Sequence, residues 1–539
     1  MHPDREFAPP PDEDLAEPWV QALVRDLELD GLLDLMAGQD DQLRRSARAA
    51  LLSPGLEVEE IRFRQHVLAD CLDLPDLPRR LYELAGEATT AQRGVFRSFL
   101  MNRPENALHH AVTKLGLQVD ALAQVRDLAR QFLPAVRSPG WRRLLQQAVT
   151  DLDGPYLDSV RAHLQRLEFG DGMLLSAHLG DGNQGVGYVL RQPDPHHLTL
   201  LHRTPIARPH ASFTIPERDE GGFRALADLR DRALAVIAGV VGQACDDVSA
   251  FFTQLRTELA FYLAADRLHA ELAAVGAPTC LPEPAPVGSG VLAAAGVYDP
   301  VLQVRLRGHA VPNDVDTENK LLLLVTGANQ GGKTTLLRGL GTAQLLLQSG
   351  LFVPAEAFSA STGARVLTHF EREEDPGLQH GKFDEELARL SELLTHLRPG
   401  DLLLSNESFA ATNENEGSAI GASVVRALVD SGVRVHLVTH LHALADALHQ
   451  QVPCLSLRPE RRGDGERTYR LVPAAPEPTS FGADLYERVF GAPLPGRAPV
   501  IRVRVSAADP PTAPPADRPA PRAGGGTLDR TSTAPTPEG

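Results

Sequence analysis

Residues Leu321–Thr335 read LLLLVTGANQGGKTT, and the fold of the carboxyl-terminal half follows from them. Four leucines and a valine in a row suit a strand buried on both faces of a parallel sheet. The residues from Gly327 to Thr334 then fit G-x-x-x-x-G-K-[ST]. In that pattern Gly327, Gly331 and Gly332 let backbone N–H groups turn inward around a phosphate, with Asn329 and Thr335 beside them. Lys333 reaches the β- and γ-phosphates, and the Thr334 hydroxyl ligates Mg²⁺. The helix beginning near Lys333 directs its positive end at the same anion.

After that helix, α and β segments alternate to about Val472. Leu402–Ser405 and Val433–Thr439 read as short buried strands that end in polar residues. Chemistry in an open α/β sheet sits at such carboxyl ends. The first strand leads into Asn406 and Glu407, the second into His440. A nucleotide hydrolase needs a carboxylate to orient or deprotonate water, and Glu407 is the candidate. Asn406 stands where a metal-assisting aspartate is usual; it keeps an acceptor oxygen and loses the charge. A histidine at position 440 can hydrogen-bond a terminal phosphate or the attacking water.

The remainder of the chain bounds the class. The 539 residues carry a formal net charge of −17, from 70 acidic and 53 basic side chains. That argues against a protein coated in positive charge, while a local basic patch stays compatible with it. Four separated cysteines give no zinc framework and suit a reducing cytoplasm. No continuous run of about 18 apolar residues stands out, so no membrane span is expected.

The organisation expected is multidomain. Residues 1–18 form a disordered lead. Residues 19–168 form an all-α core and lever, with Pro104, Pro134, Pro139 and Pro155 as helix starts or breaks. Residues 169–222 form a small β-rich insertion with strands near 187–191 and 198–202. It carries His178, Arg191, His196, His197, His202, Arg203, Arg208 and His210, a basic face, a solvated surface or, least favoured, a metal site. A returning helix fills 223–286, with Val248, Phe252, Leu255, Leu259 and Tyr262 as its apolar stripe. The α/β P-loop domain takes 287–490, a short extension 491–505, and a disordered Pro/Ala/Gly tail 506–539.

The strings TGANQGGKTT (326–335), LLLSNESFAATNENEG (402–417) and VTHLHAL (438–444) resemble, in order and spacing, the ATPase domain of the MutS family of DNA mismatch-repair proteins. SGLFVPA (349–355), GHAVPND (308–314) and TSFG (479–482) are similar to further elements of that domain, and IRFRQ (61–65) resembles the start of the family's core domain. The helical arms with a β insertion look like its lever and clamp.

The resemblance implies an ABC-like ATPase that uses ATP and Mg²⁺. It also implies a cytoplasmic homodimer, DNA as partner, and mismatch-repair-type protein partners. Asn313 falls in the stretch that lines the family's adenine pocket. Lys382, in GKFDEE (381–386), takes the place of hydroxyl side chains that reach the partner subunit's nucleotide, so it would act in trans. Asn406 replaces the family's aspartate, and Ala310 stands where an adenine-stacking aromatic is usual. With only about 20 residues before the first helices, the family's amino-terminal mismatch-reading domain is expected to be absent. Two other readings stay open: an ATP-gated binding module with little hydrolysis, and a P-loop ATPase acting on protein partners.

Overall fold

A computed structural model describes residues 17–53, 55–95, 103–169, 172–183, 185–191, 214–327, 331–363, 365–372, 381–461 and 467–477. Asn329, the strand expected near 198–202 with His196, His197, His202, Arg203, Arg208 and His210, the TSFG element, the extension and the tail lie outside the described residues.

Helices come first: α1 (Pro18–Asp26), α2 (Leu29–Ala37), α3 (Asp41–Leu52), α4 (Val58–Asp73), α5 (Asp76–Val95), α6 (Pro104–Phe132), α7 (Pro139–Asp151) and α8 (Gly154–Arg166). Their starts are written locally. Pro18, Pro104 and Pro139 open first turns, where a missing N–H costs nothing. Asp40, Ser138 and Asp153 cap α3, α7 and α8 by accepting backbone N–H groups. The helical stretch from Trp141 to Leu167 accordingly breaks at Leu152–Asp153.

A two-stranded antiparallel hairpin follows, β1 (Leu174–Leu179) with β2 (Gly185–Arg191). Next comes α9 (Glu220–Ala274), a helix of 55 residues and, at 1.5 Å per residue, about 80 Å. Its two halves have different partners. Leu234, Val241 and Cys245 pack with Leu108, Val112, Leu115 and Val119 of α6 and with Leu157 and Leu164 of α8. Phe252, Leu255, Leu259 and Tyr262 enter the main core, with Val248 at its margin.

The expectation of no membrane span stands as it was, since a core helix can pass the same test of length and composition that α9 passes. By length and composition α9 is apolar enough to cross a membrane, with an 18-residue window of mean hydropathy 1.4. Scattered polar residues hide that window from a search for an unbroken run.

Two sheets then form. The smaller has the order β3 (Glu283–Ala285), β7 (Ala357–Ser361), β4 (Leu292–Val297), β5 (Asn313–Asp316). Between β4 and β5 lies the short helix α10 (Pro300–Arg305). The returning helix ends at Ala274 and does not fill the span to 286; the proline-rich stretch 279–286 instead joins the sheet, where Cys280 bridges Val353 and β3 pairs with β7. Proline is tolerated in such a short strand, and composition alone could not locate its distant partner.

The larger sheet has the order β12 (Arg467–Pro473), β11 (Cys454–Arg461), β6 (Leu322–Thr326), β10 (Arg434–Thr439), β9 (Leu402–Asn406), β8 (Val366–Phe370). All neighbours are parallel except the β11–β12 pair. Between the strands run α11 (Lys333–Gln348), α12 (Lys382–His396), α13 (Glu414–Asp430) and α14 (His442–Gln451).

Alternate residues of β6 face opposite cores. Leu323 and Val325 join the core shared with α11 and the helical half, whereas Leu322 and Leu324 join the core formed with α12, α13 and α14. Each fully buried leucine contributes about 1.5–3 kcal/mol. Helix α11 lies close to both neighbours because Gly341 has no side chain; a Cβ there would come within 2.6 Å of Leu404 and 2.9 Å of Leu27.

Helix α1 covers the β8 edge, which would otherwise present unpaired backbone groups. The Arg365 guanidinium sits 5.8 Å from the centre of the Trp19 ring. Arg338 of α11 donates to the Asp26 carbonyl at 3.0 Å, a further tie between the helical and α/β parts.

Candidate active site

Strand register assembles the site. Thr439 pairs with Thr326, Val438 with Asn406, and Asn406 with Phe370. The residues that follow these strand ends are therefore Gly327, His440, Glu407 and Glu371, side by side along one edge. A cleft at the carboxyl ends of parallel strands is the usual ligand position in such sheets.

The glycine-rich turn leaves β6 at Gly327 (φ 120°) and enters α11 at Gly332 (φ 87°). Backbone in that region suits glycine and leaves the first N–H groups of α11 without helical partners, ready for an anion. Gly331 precedes this cap, and Thr335 lies half-buried in the first helical turn. Lys333 is only 4% exposed. Its ammonium donates to the Gly327 carbonyl at 2.7 Å and lies 3.4 Å from Oε1 of Glu407.

Glu407 is held from several sides. Its backbone is left-handed at φ 55°, and its N–H donates to the Val438 carbonyl at 2.8 Å. Its Oε2 accepts the His440 backbone N–H at 2.9 Å and faces His440 Nδ1 at 2.7 Å. Burial pushes the Glu407 pKa upward, yet the bonds from His440 and Lys333 outweigh it and hold the carboxyl below its usual 4.5. The hydrogen bond to Glu407 raises His440 above 6.5 against the opposing effect of burial. Between those values Glu407 is a carboxylate beside an imidazolium.

Thr334 Oγ1 donates to Asn406 Oδ1 at 3.1 Å. The donor set is thus two neutral oxygens beside the P-loop. It fits an Mg²⁺ that takes most ligands from phosphate and water, as that ion prefers. Among the described residues no group of three or more His, Cys, Asp or Glu forms a cage for a metal by itself.

Two further expected residues make contacts within the chain. Asn313 is tied to backbone at both ends of its amide: Oδ1 accepts from Leu471 N at 2.7 Å, and Nδ2 donates to Val311 O at 3.3 Å and Tyr469 O at 3.5 Å. The side chain pins β12 to β5. Lys382 opens α12 and makes an ion pair with Glu371 of its own chain at 2.8 Å.

Sequence reasoning missed several neighbours. Tyr469 on β12 is 48% exposed at φ 59°, and a Cβ on Gly332 would sit 3.4–3.9 Å from it. Tyr469 comes beside the P-loop through the β11–β12 hairpin, a pairing that the residues around Ala310 do not announce. Ser408 ties the turn after Glu407 to the sheet, through Ser405 at 2.8 Å, the His369 carbonyl at 2.9 Å and His369 Nδ1 at 2.7 Å. Burial pushes His369 down to about 4, so its ring is neutral.

Comparison with known proteins adds two family matches. Residues 56–275 match the MutS2 N-terminal domain, and residues 323–491 match MutS domain V. Among curated relatives, a DNA mismatch repair protein MutS of Chloroflexus aurantiacus is 29% identical over 287 residues, covering 52% of this chain and 29% of the relative. An Endonuclease MutS2 of Thermus thermophilus is 32% identical over 189 residues, 35% of this chain and 23% of the relative. A DNA mismatch repair protein MutS of Symbiobacterium thermophilum is 33% identical over 163 residues, 30% of this chain and 19% of the relative. The chain spans less than a third of the length of each of these relatives.

Proposed function

This chain belongs to the MutS family, and from that premise we propose that it binds and hydrolyses ATP and couples the nucleotide cycle to a conformational change on DNA, in repair or recombination. The observation that carries the reading is the convergence on Glu407 of Lys333 from the P-loop helix, at 3.4 Å, and of His440 from the adjacent strand end, at 2.7 Å.

In this reading the phosphates lie over the amino end of α11, held by the N–H groups near Gly331 and Gly332 and by Lys333. Lys333 exchanges its Gly327 and Glu407 contacts for the terminal phosphates. Thr334 and Asn406 would hold Mg²⁺, which would supply neutralisation of phosphate charge. Glu407, a carboxylate at neutral pH, accepts the proton of the attacking water. His440 keeps Nδ1 on Glu407 and presents its other ring nitrogen to the phosphate or the water. Tyr469 stacks on the base, with Asn313 fixing the strand that carries it. Two such sites operate in a homodimer, and Lys382 leaves Glu371 to place its ammonium on the partner's terminal phosphate. If Lys382→Ala left turnover per dimer unchanged, that trans role would be dropped.

One observation favours a second reading, an ATP clamp with little turnover. Asn406 brings a neutral amide where a carboxylate would bind Mg²⁺ more strongly. The test is steady-state phosphate release by the purified chain with duplex, mismatched and branched DNA. Release that depends on Lys333 and is stimulated by one DNA form supports hydrolysis. ATP binding without Lys333-dependent release leaves the clamp. DNA affinity that falls steeply with salt supports direct contact with the phosphate backbone; no DNA affinity at low salt would leave an ATPase acting on protein partners.

A further inference from the structure

We propose that Glu386 is a positioning residue for Glu407: its carboxylate, acting through the backbone of Phe409, fixes the turn that aims the base. The inference rests on the hydrolytic reading of Glu407 given above.

The turn that leaves β9 carries two side-chain-bearing residues in left-handed backbone, Glu407 at φ 55° and Phe409 at φ 69°. Such residues stay in that region only where the surroundings impose it. Three contacts do so. Ser408 is bonded to Ser405 and His369. The Phe409 carbonyl and ring lie against Gly417 and Gly421 of α13, where a Cβ would come within 2.3 Å and 2.9 Å of them. The Phe409 N–H donates to Oε1 of Glu386 at 2.6 Å.

The third contact differs from the others in its origin. Glu386 belongs to α12, the helix that Lys382 opens one turn earlier. Lys382 pairs with Glu371, whose backbone N–H donates to the Asn406 carbonyl at 2.9 Å. Helix α12 thus grips the Asn406–Phe409 segment twice, at Lys382 through Glu371 and at Glu386 through Phe409. A carboxylate that is 4% exposed is costly to bury unless hydrogen-bonded, and the Phe409 N–H supplies that bond. When the first turn of α12 shifts, the base shifts with it, so whatever Lys382 engages adjusts Glu407 in its own chain.

The test compares the full chain with its E386A and E386Q variants. Three quantities are read: Mg-ATP turnover, affinity for ATPγS, and titration of the His440 imidazole by NMR. Three charged groups act on that imidazole, Glu407, Lys333 and Glu371. E386A should lower kcat about 10- to 100-fold, the effect of misplacing a reacting group by about 1 Å. ATPγS affinity should change less than about twofold, because the lost interaction is made in catalysis and not in binding. The His440 titration should move down towards 6.5 as Glu407 leaves it. E386Q keeps an amide oxygen for the Phe409 N–H, so it should stay near the wild type in all three.

Wild-type turnover and an unmoved His440 titration in E386A would overturn the proposal. So would equal loss in both variants with weakened nucleotide binding, the mark of a general packing defect. If the wild-type chain shows no Lys333-dependent turnover, the hydrolytic reading fails. The His440 titration then still decides whether Glu386 positions Glu407.

Discussion

Replacing Glu407 with glutamine separates chemistry from binding at this site. The substitution is nearly isosteric and removes one negative charge. A positioned general base supplies about 10²–10⁴ in rate, which corresponds to about 2.7–5.5 kcal/mol of barrier. Turnover of E407Q should therefore fall by at least about 100-fold.

ATP affinity should hold or rise in the same variant, because a carboxylate next to the terminal phosphate opposes the bound anion. Lys333 loses its ion-pair partner at 3.4 Å but keeps the Gly327 carbonyl at 2.7 Å. Breaking a buried pair outright costs about 3–5 kcal/mol. The retained carbonyl, and the 14% exposure of Glu407, bring the expected destabilisation to about 1–3 kcal/mol, as for loss of a single buried partner. The His440 titration should fall towards its ordinary value, since donating to the Glu407 carboxylate is what raises it.

The assay is phosphate release at saturating Mg-ATP, in steady state and in a single turnover, with ATPγS affinity measured in parallel. On DNA, the trapped ATP state should also lengthen the bound lifetime. Wild-type turnover in E407Q would refute the role of Glu407 as base. A loss of ATP affinity equal to the loss of turnover would make Glu407 a binding residue instead.

Other expectations follow from particular contacts. The His440–Glu407 pair gives a pH window. The raised His440 pKa contributes stability that is full below about 6.5 and is lost as pH rises through the folded value; the depressed Glu407 pKa contributes stability that is full above about 4.5 and is lost as pH falls through the folded value. The pair therefore stabilises most between those limits, modestly because His440 is 46% exposed. Urea unfolding across pH should show a hump that His440→Gln flattens. Tyr469→Ala should raise the KM for ATP about 5- to 15-fold and spare kcat, the size of a lost aromatic stack of about 1–1.5 kcal/mol; an unchanged KM would remove Tyr469 from the base pocket. Gly417→Ala places a Cβ 2.3 Å from the Phe409 carbonyl, so the variant should lose about 1–3 kcal/mol of stability. A thermal midpoint equal to the wild type would show that α13 can yield.

The parts of the site that were legible in the sequence are those fixed by consecutive residues. The apolar run ending at Val325, the glycines from Gly327 to Gly332 and Lys333 are one local instruction, because strand, turn and helix start each depend on neighbours in the chain. Asn406, Glu407 and His440 were legible as polar residues closing buried strands, and parallel register then brought them together. What stayed hidden depends on distant pairing. Tyr469 reaches the P-loop only because β11 and β12 form a hairpin beside β6. Glu386 reads as one more acid on an amphipathic helix until Phe409 is placed against it. Cys280 and β3 pair with residues some 70 positions later, which no proline-rich composition announces. The role of α1 as a cover for β8 is likewise invisible before the sheet order is known.

The most direct test of the account is the binding of ATP itself. Calorimetric titration of Mg-ATP into the wild-type chain and into Lys333→Ala measures whether a triphosphate sits over the amino end of α11. The account predicts one nucleotide per chain for the wild type and loss of binding in the variant. Equal binding by both proteins, or none by the wild type, would contradict it.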